Sequence, residues 1–197
     1  MKKNLISKLV IASNNKDKIK EINSYLNNFN IQTIPSYEFK VPEPKETENS
    51  FKGNAILKAS HSANYTDLPS LGDDSGLVVP ALNGKPGIYS ARWGGPNKDF
   101  NLAMKKVNKK LKGRNSFAWF VCSIALVFPD QKKLTFEGRV YGNLTWPPRG
   151  KYGFGYDPIF VPLGYKKTFG EMKEYIKSKI SHRNLAFNQF FKKIKFN

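Results

Sequence analysis

The chain is predicted to fold as an α/β protein with a mixed, twisted β-sheet and flanking helices, and three observations predict it. Strand-like and helix-like hydrophobic periods alternate through the first part of the sequence, as they do in strand–helix–strand units. Two runs rich in β-branched and aromatic residues, "SFAWFVCSIALVF" (116–128) and "KKLTFEGRVYG" (132–142), then follow one another around Pro129-Asp130, the pattern of a hairpin. Finally, 40% of the 197 residues are hydrophobic, enough to bury a core in one domain spanning 1–197.

The elements follow in order. "KLVIA" (8–12) reads as a strand. Ser13, Asn14 and Asn15 are good helix caps, and "KDKIKEINSYLNNF" after them places Ile19, Ile22, Leu26 and Phe29 at helical spacing. "IQTIP" (31–35) is a second strand, and the acidic, proline-broken "VPEPKETENS" (41–50) is a loop. Asn49 or Ser50 caps a helix through "FKGNAILKASHSA". "PSLGDDSGLVV" (69–79) reads as strand, turn and strand, because glycine, aspartate and serine cluster at its centre. A helix covers roughly 99–111, ahead of the hairpin. After the glycine- and proline-rich stretch 142–158 come a short strand, "IFVP" (159–162), and helices near 171–178 and 181–195.

Charge and cysteine usage narrow the classes of function. The net charge is +18, from 33 basic and 15 acidic residues, so anionic partners are plausible. The lysines are scattered, however, and the densest basic run, "KKVNKKLKGR" (105–114), contains no aromatic residue on which single-stranded bases could stack. A biased, solvated surface is therefore expected, with no specific nucleic-acid partner. The single cysteine, Cys122, excludes an intramolecular disulfide framework and a multi-cysteine metal cluster. The apolar run near the N-terminus is too short for a signal-peptide core, and no stretch approaches the roughly 18 apolar residues of a membrane span. A soluble, cytoplasmic protein without a membrane partner is expected.

Several segments carry chemistry. "IASNNKDKIKE" joins a strand to a helix, so its backbone N–H groups and Lys16 or Lys18 suit a phosphate, although taken alone the segment is better explained as an ordinary capped helix. Asp73 and Asp74 alternate in direction along a strand, so one can be held structurally while the other faces a ligand. A magnesium ion takes one or two carboxylates plus phosphate oxygens and water, and Glu43, Glu46 and Glu48 are candidate companions to Asp74. "GKYGFGYDPIF" (150–160) has aromatics at 152, 154 and 156 among glycines, which suits a loop that lays a ring on a flat base. In "KSKISHRNLA" (177–186), Ser181 sits at a helix N-cap with His182 and Arg183 in the first turn, where an arginine is electrostatically disfavoured unless something else holds it. A surface arginine remains the alternative.

Five segments in register, "ASNNKDKIKE", "ETENSFKGNAILKA", "GDDSGLVVPALNGKPGIYSARW", "GFGYDPIF" and "ISHRNLA", resemble the inosine triphosphate pyrophosphatase (Ham1-like) family over residues 12–186. The resemblance implies two lobes around a long substrate cleft, a homodimer, and a magnesium-dependent enzyme. That enzyme would hydrolyse ITP, dITP and XTP to the monophosphate and pyrophosphate. It further implies that Ser13, Asn14, Asn15, Lys16, Asp17 and Lys18 hold phosphate, and that Lys58 and Lys177 add positive charge around the triphosphate. Asp74 would be the catalytic base and a metal ligand, with Glu46 or Glu43 assisting the metal, and Ser75 would contact the substrate. Phe154, Gly155, Tyr156 and Asp157 would clasp base and sugar, with Phe154 as the stacking ring, and His182 and Arg183 would face the base edge. Two positions depart from the family pattern: Asn14 stands where glycine is usual, and Gly53 stands where an acidic residue is common. A nucleic-acid-binding protein, or a nucleotide sensor without catalysis, are the competing classes.

Overall fold

Among the described residues six strands form one mixed sheet in the order β2-β1-β3-β4-β5-β6. They are β1 (Lys8–Ala12), β2 (Gln32–Pro35), β3 (Ser70–Val78), β4 (Phe117–Val127), β5 (Lys133–Leu144) and β6 (Phe160–Pro162). The computed structural model describes residues 6–27, 29 and 31–194. The helices are α1 (Lys16–Leu26), α2 (Phe51–Thr66), α3 (Phe100–Leu111), α4 (Glu174–Ile180) and α5 (His182–Lys193). β1 pairs in parallel with β2, Lys8 opposite Gln32, and with β3, Val10 opposite Ser70. β5 and β6 are antiparallel, with Gly142 opposite Pro162. The α/β class and the mixed sheet are as expected. Residue 195, the expected end of the last helix, lies outside the described residues.

One expectation fails. The turn anticipated at the centre of "PSLGDDSGLVV" does not exist, and β3 runs unbroken from Ser70 to Val78. Gly72 is there for a different reason from turn formation. α2 lies so close to it that a Cβ would overlap the Ala55 carbonyl oxygen and stand 2.9 Å from the Ala59 backbone nitrogen. Composition alone cannot separate a glycine needed for backbone dihedrals from one needed for a neighbour's approach.

The chain gathers into two compact units, one built from the segment up to Asp74, Ser123–Glu137 and the segment from Ala186, the other from Ser75–Cys122 and Gly138–Leu185. In the first unit, Asn15 caps α1, its side chain accepting from the Lys18 backbone N–H, and the helix buries Ile19, Ile22 and Leu26. Ser50 caps α2 by accepting from the Gly53 N–H at 3.0 Å. α2 buries Ala55, Ala59 and Ala63, spaced four apart on one face, against Ala125 and Val127 of β4. Tyr25 and Phe29 stack on Phe187 and Phe191 of α5.

The second unit has its own core, which includes Leu77, Val79, Met104, Val107, Phe120, Phe160 and Phe169. Asp99 caps α3, its Oδ1 accepting from the Asn101 and Leu102 N–H groups at 2.8 and 3.3 Å. Cys122 is buried in β4, as expected for a core residue. Among the described residues no helix is long and apolar enough to cross a membrane.

Gly72→Ala forces a methyl group against helix backbone, which cannot step aside as a side chain can. Overpacking of this kind costs about 3 kcal/mol. The urea midpoint of the variant is expected to fall accordingly; an unchanged midpoint would show that α2 is not held at this distance.

Candidate active site

Alternation along β3 sends Asp73 and Asp74 to opposite faces, and each meets a cation from a different helix. Asp73, whose side chain is fully buried, pairs with Lys18 of α1 at 2.5 Å. Asp74 accepts from Asn54 Nδ2 at 3.2 Å and from Lys58 Nζ at 3.4 Å, both on α2. Asn54 and Lys58 are four residues apart, so they stand on the same helix face. Lys58 Nζ also donates to Glu46 at 3.0 Å, which brings two carboxylates to one nitrogen. The Asn54 carbonyl oxygen accepts from the Glu48 N–H at 3.2 Å, so a single amide holds both the 41–50 loop and the Asp74 carboxylate.

The electrostatics follow from burial. Loss of solvent pushes the Asp74 carboxyl above the ordinary aspartate range; Lys58 and Lys18 oppose this in part, while Glu46 and Asp73 reinforce it. Burial pulls the Lys58 ammonium down, but Asp74, Glu46 and Asp73 together outweigh it and leave it above its usual value. Among these five groups, three carboxylates face two ammonium groups. The excess negative charge and the hard oxygen donors of Asp74 and Glu46 suit a divalent cation that also takes phosphate oxygens.

The turn after β1 stands over the start of α1. Ser13 Oγ accepts from the Asn15 N–H at 3.2 Å, and Asn14 Nδ2 donates to Glu43 Oε2 at 3.3 Å. Asn14, Asn15, Lys16 and Asp17 are exposed, and Ser13 and Lys18 are half-buried. Glu43 is thus tied to the turn, while Glu46 is tied to Lys58 and only through it to Asp74. Among the described residues no group of three or more His, Cys, Asp or Glu side chains is placed to hold a metal ion, so Asp74, Glu46 and Glu43 are not assembled as one ligand set. A cavity of about 20 Å³ lined by Ser13, Asn14, Glu43, Lys58 and Ser62 is polar and has room for about one water. At Gly53 a Cβ would stand 2.7 Å from Glu48 Cβ, so the space an acidic residue would take there belongs to Glu48.

In the second unit the glycine-rich loop is tightly wound. Gly153 and Gly155 both have φ +70°, the left-handed region that favours glycine. The Phe154 N–H donates to Asp157 Oδ2 at 2.8 Å, and Lys177 Nζ of α4 donates to the same oxygen at 2.6 Å. Tyr156 turns into the core, where its hydroxyl donates to the Ser90 carbonyl at 2.8 Å and its ring meets the edge of Phe100. Burial pushes the Tyr156 phenol well above its ordinary value. Phe154 remains half-buried.

Arg183 is fully buried, which removes the surface-arginine alternative. Its Nη2 donates to Ser75 Oγ at 3.1 Å. Ser181 caps α5, its Oγ accepting from the Asn184 N–H at 3.2 Å, and the His182 ring stacks on Phe120 with centroids 4.9 Å apart. Two participants escape sequence reasoning. Asn54 carries one signal, its four-residue spacing from Lys58. The Lys18–Asp73 pair carries none, because it joins residues 55 positions apart in sequence.

The Ham1 family model matches residues 9–193. The chain is 50% identical over 184 residues to a protein of Caulobacter vibrioides named dITP/XTP pyrophosphatase, covering 92% of this chain and 94% of that one. It is likewise 50% identical over 186 residues to a protein of the same name from Rhodospirillum centenum, covering 92% and 91%. Among solved structures, a Ham1 protein from Coxiella burnetii superposes with a TM-score of 0.87 at 39% identity, covering 94% of this chain and 96% of that one. A nucleoside-triphosphatase / dITP/XTP pyrophosphatase from Mycobacterium abscessus gives 0.76 at 35% identity, covering 95% and 100%. With a family match and relatives of this identity spanning nearly its whole length, the chain belongs to the Ham1 family.

Proposed function

We propose that the protein hydrolyses deaminated purine nucleoside triphosphates, ITP, dITP and XTP, to the monophosphate and pyrophosphate. The observation that carries this reading is the cluster of buried Asp74, Lys58 and Asn54 with half-buried Glu46, beside the Lys18–Asp73 pair. It combines carboxylates in excess with lysines that can turn to phosphate oxygens. The names borne by the relatives from Caulobacter and Rhodospirillum support the same reading.

In this scheme the Ser13–Lys18 turn at the positive end of α1, with the Lys18 and Lys58 side chains, binds the triphosphate. Asp74 and Glu46 would hold magnesium, and Glu43 orients Asn14 at the phosphate turn. Magnesium would supply neutralisation of charge on the phosphates during cleavage. Asp74 accepts the proton of the water attacking the α-phosphorus, a role that an upward-shifted carboxyl serves better than an ordinary one. Phe154 stacks on the base, beside the first turn of α5 that carries His182. Arg183 donates to the 6-oxo group of hypoxanthine or xanthine, where the 6-amino group of adenine would set donor against donor. A homodimer working on the cytoplasmic nucleotide pool completes the reading.

Asp74→Asn keeps the shape and removes the base, so pyrophosphate release from ITP is expected to fall by about two decades or more. A rate within about threefold of the parent would take the base role from Asp74. EDTA is expected to abolish hydrolysis and magnesium to restore it; full activity under chelation would remove the metal from the scheme.

Arg183→Ala deletes a hydrogen bond that adenine nucleotides never make. A charged hydrogen bond contributes about 1.5–3 kcal/mol, so the ITP-to-ATP ratio of kcat/KM should shrink by about one to two decades. Because both substrates are measured on one preparation, that ratio is insensitive to how much of the variant folds. Equal proportional losses for ITP and ATP would assign Arg183 to the phosphates or the fold.

A further inference from the structure

Within the first compact unit, α1 carries a groove of about 420 Å³ that does not include the Asp74 cluster. Lys16, Lys20, Asn23 and Asn27 line it from the helix with buried Ile19 between them, and Tyr37 of the short turn Ser36–Phe39 completes the lining. Those four polar residues recur at helical spacing, so they form one row along α1. Lys16 and Lys20 are both exposed and stand one turn apart, about 6 Å along the axis. Tyr37 is 50% exposed, large for an aromatic side chain. Asn23 Oδ1 is buried, yet none of the described residues donates to it. Among the described residues that line the groove none is acidic.

We propose that this groove is a second nucleotide site, which takes a nucleoside monophosphate with its phosphate between Lys16 and Lys20 and its base against Tyr37. Each feature asks for a different part of that ligand. Two ammonium groups one helical turn apart, with no acid in the lining, favour a compact dianion. The exposed phenol ring offers a stacking platform to a flat base. A buried acceptor without a donor is costly until a ligand supplies one, and the ribose hydroxyls do so. Inorganic phosphate satisfies the lysines alone, and a nucleoside satisfies the ring and the amide alone. The volume lies within the range of about 300–1,000 Å³ usual for small-molecule sites. Of the lining residues only Lys16 belongs also to the phosphate turn, so the assignment does not depend on the reaction proposed for Asp74.

Calorimetric titration of the full chain with AMP tests the site, because the 6-amino group of AMP is mismatched to Arg183 in the proposed catalytic site. AMP should bind with a dissociation constant below about 1 mM, and about tenfold tighter than inorganic phosphate. Tyr37→Ala should weaken AMP by about tenfold, the scale of base–aromatic stacking, and leave phosphate within about twofold. Lys20→Ala should weaken AMP and phosphate alike, by about fivefold at low ionic strength and less in about 0.5 M salt. Both side chains lie at the surface, so the thermal midpoints of the variants should match the parent, and ITP turnover should stay within about twofold. AMP affinity unchanged in Tyr37→Ala, or no tighter than that of phosphate, would reduce the groove to a bare anion patch and overturn the proposal. AMP binding with the expected losses in a protein that does not hydrolyse ITP would keep the groove and remove the proposed reaction. ITP hydrolysis without AMP binding would remove the groove alone.

Discussion

The candidate site depends on how closely α2 can lie against β3. The contact is made without side chains on one side: Gly72 presents bare backbone to Ala55 and Ala59, and those alanines add only a methyl group each. Small residues at a crossing let two backbones approach where larger ones would hold them apart. With the axis of α2 that near, Asn54 and Lys58 on its β3-facing side reach Asp74 directly. Moving the helix outward by the width of a methyl would leave the Asp74 carboxylate buried with its partners out of hydrogen-bond range. The Ser50 cap sets where the helix begins, and so sets the register of Asn54 and Lys58 along β3.

Two adjacent aspartates in a buried strand are expensive unless their charges are separated and matched. The pleat of β3 separates them, and Lys18 and Lys58 match them from different helices. The match is incomplete, because Glu46 joins the Lys58 side and tips the group toward negative charge. Asp74 is shifted upward first by its own loss of solvent, and the half-buried Glu46 and the buried Asp73 add to that shift. A cation accompanied by phosphate, as in the proposed function, would relieve that imbalance.

Much of the fold is legible in the sequence because it is local. β1 agrees to the residue with the apolar run "KLVIA", and the caps at Asn15, Ser50 and Ser181 stand where polar residues precede helical periodicity. What escapes is tertiary. The segment Gly72-Asp73-Asp74-Ser75-Gly76 has the composition of a turn and the structure of a strand, since the demand for Gly72 comes from a helix that precedes it in sequence. Tyr156 reads as one of three loop aromatics, yet the left-handed glycine before it rotates its ring into the core toward Ser90. Lys177 reads as one more cation for a triphosphate, and only the folded chain reveals that it pairs with the Asp157 carboxylate. Arg183, by contrast, announces itself, because an arginine in the first turn of a helix needs a partner, and it is buried on Ser75.

Under the proposed function, the groups that would read the base and those that would hold the phosphates meet in sequence at one peptide bond, between Asp74, which accepts from Asn54 and Lys58, and Ser75, which accepts from Arg183. The chemistry proposed for β3 is attack of water at the α-phosphorus beside Asp74. Hydrolysis of ITP in water enriched in oxygen-18 tests it most directly, with mass spectrometry of both products. One labelled oxygen in the inosine monophosphate and none in the pyrophosphate is the expected result. Label in the pyrophosphate, or release of orthophosphate in its place, would put the attack at another phosphorus and contradict the assignment.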